Sequence, residues 1–159
     1  RKMLSLPDAI KVLSDQFYFY CSSPQFFSNW KWYKSAKIGG GDHNEQLLKS
    51  YYRSIINFID YRVENISTEY EIGYQIDGIT IKIWDLIMKS EKREDDFDIS
   101  EIVELSDELV NIIEPLSPIT ASALAEAMTW IRDGADNVTH QHFNSWWGRG
   151  QQFVSFMKK

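Results

Sequence analysis

The sequence predicts a mainly α-helical protein, a single domain spanning residues 1–159 and built as a bundle of about six helices. Three observations predict this class. Helix-start signals recur along the chain, each a capping side chain followed three residues later by an acidic one or directly by proline. Behind each signal, apolar residues return with the period of a helix. With 43% apolar and 14% aromatic residues, a chain of 159 residues can also bury a full core without disulfide or metal.

Three helices are predicted in the first third of the chain. Each begins at a capping signal and continues as an apolar stripe, over residues 5–20, 24–37 and 42–59. In the first, Ser5 and Asp8 form a capping box. In the second, Pro24 stands at the first helical position, where its missing N–H costs nothing. In the third, Asp42 and Glu45 repeat the capping box after a run of three glycines.

The segment around residues 70–84 has two interpretations. Tyr70, Ile72 and Tyr74 alternate with polar residues or glycine, and the turn dipeptide Asp77-Gly78 follows. Alternation on both sides of Asp-Gly predicts a small β-hairpin, which is the favoured interpretation. The alternative is a helix from about Ile79 to Lys89, because apolar residues there also fit helical spacing.

Two further helices and a tail complete the predicted fold. A capping box at Asp98 and Glu101 opens a helix that Pro115 ends. A helix from Ile119 to Asp133 follows Ser117-Pro118, and Gly134 is a candidate C-cap. The aromatic tail from residue 137 to 159 predicts one or two short helices.

Composition restricts the compartment and the chemistry. The single cysteine, Cys21, cannot form an internal disulfide, which favours a reducing cytoplasm. No run of 18 apolar residues is present, so no membrane partner is expected. The chain also has no HExxH, P-loop or Gly-x-Ser-x-Gly motif. We therefore predict no metal, no cofactor and no catalytic residue.

Charge is distributed unevenly along the chain. Residues 1–62 carry a net charge of +4, whereas residues 85–114 carry −8. A negative segment of this density repels phosphate, so nucleic acid is not an expected partner. The same segment attracts a basic protein surface and accelerates the encounter with it.

The predicted partner-binding residues lie in this negative segment and in two aromatic clusters. Glu101, Glu104, Asp107 and Glu108 follow helical spacing on the polar face of one helix. No Lys or Arg occurs between residues 94 and 131, so the helix cannot neutralise these acids by i, i+4 pairing. Trp32 and Trp147 are the predicted aromatic anchors, because tryptophan is enriched at binding hot spots. The sequence thus favours a non-enzymatic module that binds a basic protein, with an immunity or antitoxin-type inhibitor as the concrete form.

Two other function classes remain open at this level. One is a small Mg²⁺-dependent hydrolase acting on a nucleotide, in which the same stripe shares a cation with Asp60 and Glu64 on a facing helix. The other is a structural or adaptor subunit whose aromatic tail inserts into a larger assembly. The sequence leaves homo-oligomer formation open.

Overall fold

A computed structural model describes residues 5–23, 42–63, 66–91, 99–134, 141–146 and 153–159. This part of the chain is mainly helical and includes a small two-stranded antiparallel sheet, which confirms the predicted fold class. In chain order the elements are α1 (Leu6–Leu13), β1 (Phe17–Ser23), α2 (His43–Arg53), α3 (Ile56–Ile59), α4 (Tyr70–Glu91), α5 (Ile99–Ile113), α6 (Pro118–Asp133), a short 3-10 helix (Phe143–Ser145) and β2 (Phe153–Lys158).

The chain forms two compact units. Unit 1 comprises residues 1–51 and 150–159, and unit 2 comprises residues 52–149, so the division falls within α2. Unit 1 holds α1 and both strands, while unit 2 holds α3 to α6 and the 3-10 helix. That the chain is one domain stays a prediction.

In unit 1, the sheet replaces part of two predicted helices. The Ser5 side chain accepts a hydrogen bond from the Asp8 N–H at 3.2 Å, as predicted, but α1 ends at Leu13. The aromatic run that follows is β1, paired antiparallel with β2 in the tail. Prediction of helix up to residue 20, and of helix alone in the tail, was therefore wrong for these residues. Aromatic side chains favour strands once a partner strand is present, and this partner is far away in sequence.

In unit 2, the predicted hairpin is wrong and the helical alternative is correct, although the helix begins at Tyr70 and not near Ile79. Residues 70–84 belong to α4, a single helix that runs on to Glu91. Its start packs closely against the end of α2. A Cβ on Gly73 would lie 1.9 Å from the Tyr52 carbonyl oxygen, so only glycine fits there. Tyr70 and Tyr74 both place their rings 5.3 Å from the Tyr52 ring, at steep angles.

The start of α2 and both ends of α6 lie close to where the sequence predicts them. The predicted helix over residues 42–59 starts as expected but is divided into α2 and α3 by a turn at Ser54–Ile55. α6 has Pro118 in its first turn and ends at Gly134, whose φ of 83° suits glycine. Asp98, the predicted N-cap of α5, and the predicted helix over residues 24–37 lie outside the described residues.

The core of unit 2 forms where α4, α5 and α6 pack together. α5 packs against both α4 and α6. Its buried side is centred on Ile102, Leu109 and Ile113, and α6 contributes small residues such as Ala123 and Ala127. In the ranges that the structure describes, no helix is both long and apolar enough to cross a bilayer.

Candidate functional site

The four predicted acidic residues all lie on the solvent side of α5. Glu101, Glu104, Asp107 and Glu108 are exposed, whereas Ile102 and neighbouring apolar residues on the opposite side are buried. The helix is amphipathic, so packing of its apolar side fixes the direction of the acidic one. We call these four exposed residues the acidic face.

Neighbouring helices contact the acidic face at both margins. On the α6 side, the Arg132 guanidinium lies 2.5 Å from the Asp107 carboxylate. On the α4 side, the Gln75 amide donates a hydrogen bond to Glu108 at 3.4 Å. The prediction that no Lys or Arg neutralises these acids therefore holds within α5. It does not hold for the neighbouring helix, because Arg132 of α6 pairs with Asp107.

The ion pair at the α6 margin leaves most of the face available. The side chains of Asp107 and Arg132 are 54% and 44% exposed, and an exposed pair of this kind contributes about 0–1 kcal/mol. Glu101 and Glu104 have no ion pair with any described cation. With respect to the described part of the chain, the face therefore presents uncompensated carboxylates to solvent, mainly along its first two turns.

The two predicted aromatic anchors, Trp32 and Trp147, lie outside the described residues. The neighbouring Trp146 is described and is half-buried. Its indole N–H donates to the Ile59 carbonyl oxygen at 2.9 Å, and its ring lies 6.3 Å from that of Phe143. This tryptophan therefore has a structural role in holding the 3-10 helix to the end of α3.

Asp60, a predicted ligand of the magnesium alternative, is completely buried and already engaged. One carboxylate oxygen accepts from the Arg62 backbone N–H at 3.0 Å and from its Nε at 2.9 Å. The other accepts from Arg62 Nη2 at 2.6 Å and from the Thr120 hydroxyl at 2.9 Å. Ser117 lies 2.7 Å from Thr120 and must donate, because the Thr120 proton is directed to the carboxylate.

The guanidinium of Arg62 joins this carboxylate to the 3-10 helix. Its Nη1 donates to the His142 carbonyl at 2.9 Å and to the Ser145 hydroxyl at 2.7 Å. Its Nη2 also approaches the Ile119 carbonyl at 3.4 Å. All five N–H donors of the Arg62 guanidinium therefore have acceptors. The role of this side chain is structural, because no N–H group is left to bind a ligand.

This hydrogen-bond network shifts the pKa values of both Asp60 and Arg62. Burial alone would raise the pKa of Asp60, but the hydrogen bonds from the Arg62 side chain, its backbone N–H and Thr120, with the positive charge of Arg62, lower it below 3.8. The hydrogen bonds to Asp60 in turn raise the pKa of Arg62 above its ordinary value, against the effect of burial. Asp60 is therefore an ionised structural carboxylate at neutral pH.

The geometry does not support a metal role for Asp60. Its partner in that hypothesis, Glu64, lies outside the described residues. Within the described ranges, no group of three His, Cys, Asp or Glu side chains is placed to hold a metal ion.

Sequence reasoning missed Arg62 and Glu126. A Glu126 oxygen accepts the backbone N–H groups of His142 and Phe143, each at 2.8 Å, at the start of the 3-10 helix. Arg62 bonds to Asp60 two residues away, but its other acceptors lie 57 to 83 residues away in sequence, and the donors to Glu126 lie 16 and 17 residues away. No pattern within a single element could have identified them.

No protein-family model, curated protein or solved structure matches this chain.

Proposed function

We propose that the protein is a non-enzymatic binding module that presents the acidic face of α5 to a basic protein surface. The observation that carries this proposal is the exposure of Glu101, Glu104, Asp107 and Glu108 on one helix whose opposite side is buried. Packing against α4 and α6 fixes the backbone of this helix, so association has to order only the exposed side chains and not the helix itself. An immunity or antitoxin-type inhibitor, which covers the cationic cleft of its target, is the form of this function to test first.

The charge balance of unit 2 supports the same proposal. Unit 2 contains nineteen Asp and Glu against eight Lys and Arg, so its net charge is strongly negative. Long-range attraction of this kind accelerates association with a cationic partner and weakens as salt screens it. Trp32 and Trp147 remain the predicted apolar contacts of the interface.

Binding to a defined cationic probe tests the role of the face. The probe is an amphipathic helical peptide rich in Lys and Arg, and the variant changes the four acids of the face to their amides. We expect the wild-type protein to associate rapidly at low ionic strength, and the variant to associate at least about tenfold more slowly with a flatter salt dependence.

A control variant with the same net charge separates the face from bulk charge. It changes four exposed acids elsewhere to their amides: Asp15, Glu69, Asp85 and Asp133. If both variants slow association equally, the peptide responds to net charge and the acidic face is not a binding site. Retained association in the control alone supports the proposal.

A further inference from the structure

The register of the β1–β2 sheet defines which backbone groups point outward. The Lys159 N–H donates to the Gln16 carbonyl at 2.9 Å, so these two residues form a hydrogen-bonded pair. Such pairs alternate with pairs whose backbone groups point away from the partner strand. Tyr18 and Met157, two positions further along the register, are therefore the next hydrogen-bonded pair.

The outer edge of β1 is closed by the start of α2. The Asn44 side chain accepts the Phe19 N–H at 3.0 Å and donates to the Phe17 carbonyl at 2.9 Å, as a neighbouring strand would. The His43 imidazole lies 3.1 Å from the Phe19 carbonyl oxygen. Asn44 is buried at 3% exposure, so this edge is shielded from other chains.

The outer edge of β2 has no such closure in the part of the chain that the structure describes. Phe156 and Lys158 are paired with the outward-pointing positions of β1, so their own N–H and C=O groups point away from the sheet. The sheet has two strands, and no described residue bonds to these groups. The two edges of one small sheet therefore differ: one is closed by a buried amide, and the other has no partner among the described residues.

The side chains beside the open edge are cationic and partly apolar. Adjacent residues of a strand point to opposite faces, so Lys158 and Lys159 place one ammonium group on each face of the sheet. Lys159 extends over the Tyr18 ring at 4.8 Å, and Met157 on the same face is 52% exposed. Unit 1 as a whole carries nine Lys and Arg against four Asp and Glu.

We propose that the outer edge of β2 binds an extended acidic segment of a partner protein as an added strand. Main-chain hydrogen bonds to Phe156 and Lys158 supply affinity that does not depend on sequence, as in other strand additions. Carboxylates on either face of the added strand then meet Lys158 or Lys159, which selects an acidic segment over a basic one.

The same lysines disfavour a second copy of this chain as the occupant. Edge-to-edge pairing of two β2 strands brings together four ammonium groups at the exposed strands, and charge on an edge is a common protection against such pairing. Repulsion of an identical edge and attraction of an acidic one therefore have a single origin.

Amide exchange measured by NMR on the whole protein tests this proposal. The probe is a capped eight-residue peptide of alternating valine and glutamate, and the control peptide alternates valine and lysine. In the free protein we expect slow exchange at Met157 and fast exchange at Phe156 and Lys158. The acidic peptide should slow exchange at the two outward amides at least about tenfold, and the basic peptide should not.

Two variants at one position separate the backbone from the charge. Lys158→Pro removes an outward N–H without removing a bond to β1, and we expect it to abolish peptide binding. Lys158→Gln keeps the N–H and should weaken binding about threefold to tenfold.

Four results would overturn the proposal. The first is protection of the outward amides before peptide is added, which would mean that this chain covers its own edge. The second is equal binding of the basic peptide, and the third is binding retained by Lys158→Pro. The fourth is a concentration-dependent dimer that the acidic peptide does not dissociate.

Discussion

A single carboxylate, Asp60, explains how distant segments of unit 2 are held together. It is buried with a full set of donors, and through Arg62 it connects the start of α6 with the 3-10 helix. A buried ion pair contributes little net free energy compared with apolar residues of the same size, but losing one partner is costly. We therefore expect the stability of unit 2 to depend strongly on both Asp60 and Arg62.

Asp60→Asn tests this dependence. The amide cannot neutralise Arg62 and offers a single acceptor oxygen, so the guanidinium stays buried without its counter-charge. We expect the free energy of unfolding at pH 7 to fall by about 3–5 kcal/mol, measured by urea denaturation. Thr120→Val, which removes one donor to the same carboxylate, should cost only about 1–3 kcal/mol. A loss below 1 kcal/mol for Asp60→Asn would show that the pair is dispensable.

The pH dependence of the same pair has a defined sign. The folded state lowers the pKa of Asp60 below 3.8, so its ionised form stabilises the fold above that value. As pH falls from 3.8 through the lower folded value, the contribution is lost. We expect the difference in unfolding free energy between wild type and Asp60→Asn to stay constant from pH 7 to 5 and to shrink below pH 3.8. A difference that is unchanged at pH 3 would contradict the lowered pKa.

At the scale of elements, the two glycines of α4 have opposite roles. Gly73 lies against the Tyr52 carbonyl, where a Cβ would overlap backbone atoms, whereas a Cβ on Gly78 would have no atom within 4 Å. Glycine lowers helix stability wherever nothing requires it. Gly73 is therefore needed for the approach of α4 to α2, and Gly78 has no steric requirement.

The matched pair Gly73→Ala and Gly78→Ala separates these roles. Gly73→Ala forces two helices apart, so we expect it to destabilise unit 2 by about 3 kcal/mol or more. Gly78→Ala should stabilise it by about 0.5–1 kcal/mol, because alanine has the higher helix propensity. Thermal and urea denaturation followed by circular dichroism measure both. Equal effects of the two substitutions would refute the close approach at Gly73.

Elements were predictable where their signals are local. Capping at Ser5 and the ends of α6 are determined by neighbours within one turn, and the sequence located them. The strand β1 depends on residues 153–158, and no local pattern reports a partner at that distance. In α4 the apolar residues satisfy both periods, so packing against Tyr52 decides the outcome. For the candidate site, helical spacing predicted the shared direction of the four acids but not the contact with Arg132.

At the scale of the whole molecule, the two units carry opposite net charges. Cations outnumber acids nine to four in unit 1, and acids outnumber cations nineteen to eight in unit 2. Sequence segments had already indicated this contrast, with +4 over residues 1–62 and −8 over residues 85–114. The net charge of −6 therefore hides two surfaces with different preferences, and the two proposals assign a basic partner to one and an acidic segment to the other.

Stability as a function of salt tests whether the acidic face is kept at a cost to the fold. The variant changes Glu104 and Glu108 to glutamine and leaves the Asp107–Arg132 pair intact. It also keeps Glu101, because a negative charge in the first turn of a helix is favourable. Like charges three or four residues apart each destabilise a helix by a few tenths of a kcal/mol, so removing them should stabilise the protein by about 1 kcal/mol at low salt. The gain should fade at about 1 M salt, where the screening length falls to about 3 Å.

Urea denaturation at both salt concentrations measures this gain, with Asp15→Asn, in unit 1, as the control. A variant that is more stable but no longer associates with the cationic probe would mean that these carboxylates serve binding and lower the stability of the protein. A variant no more stable than wild type at low salt would mean that cations of this chain already neutralise the face, and the proposed basic partner would lose its binding surface.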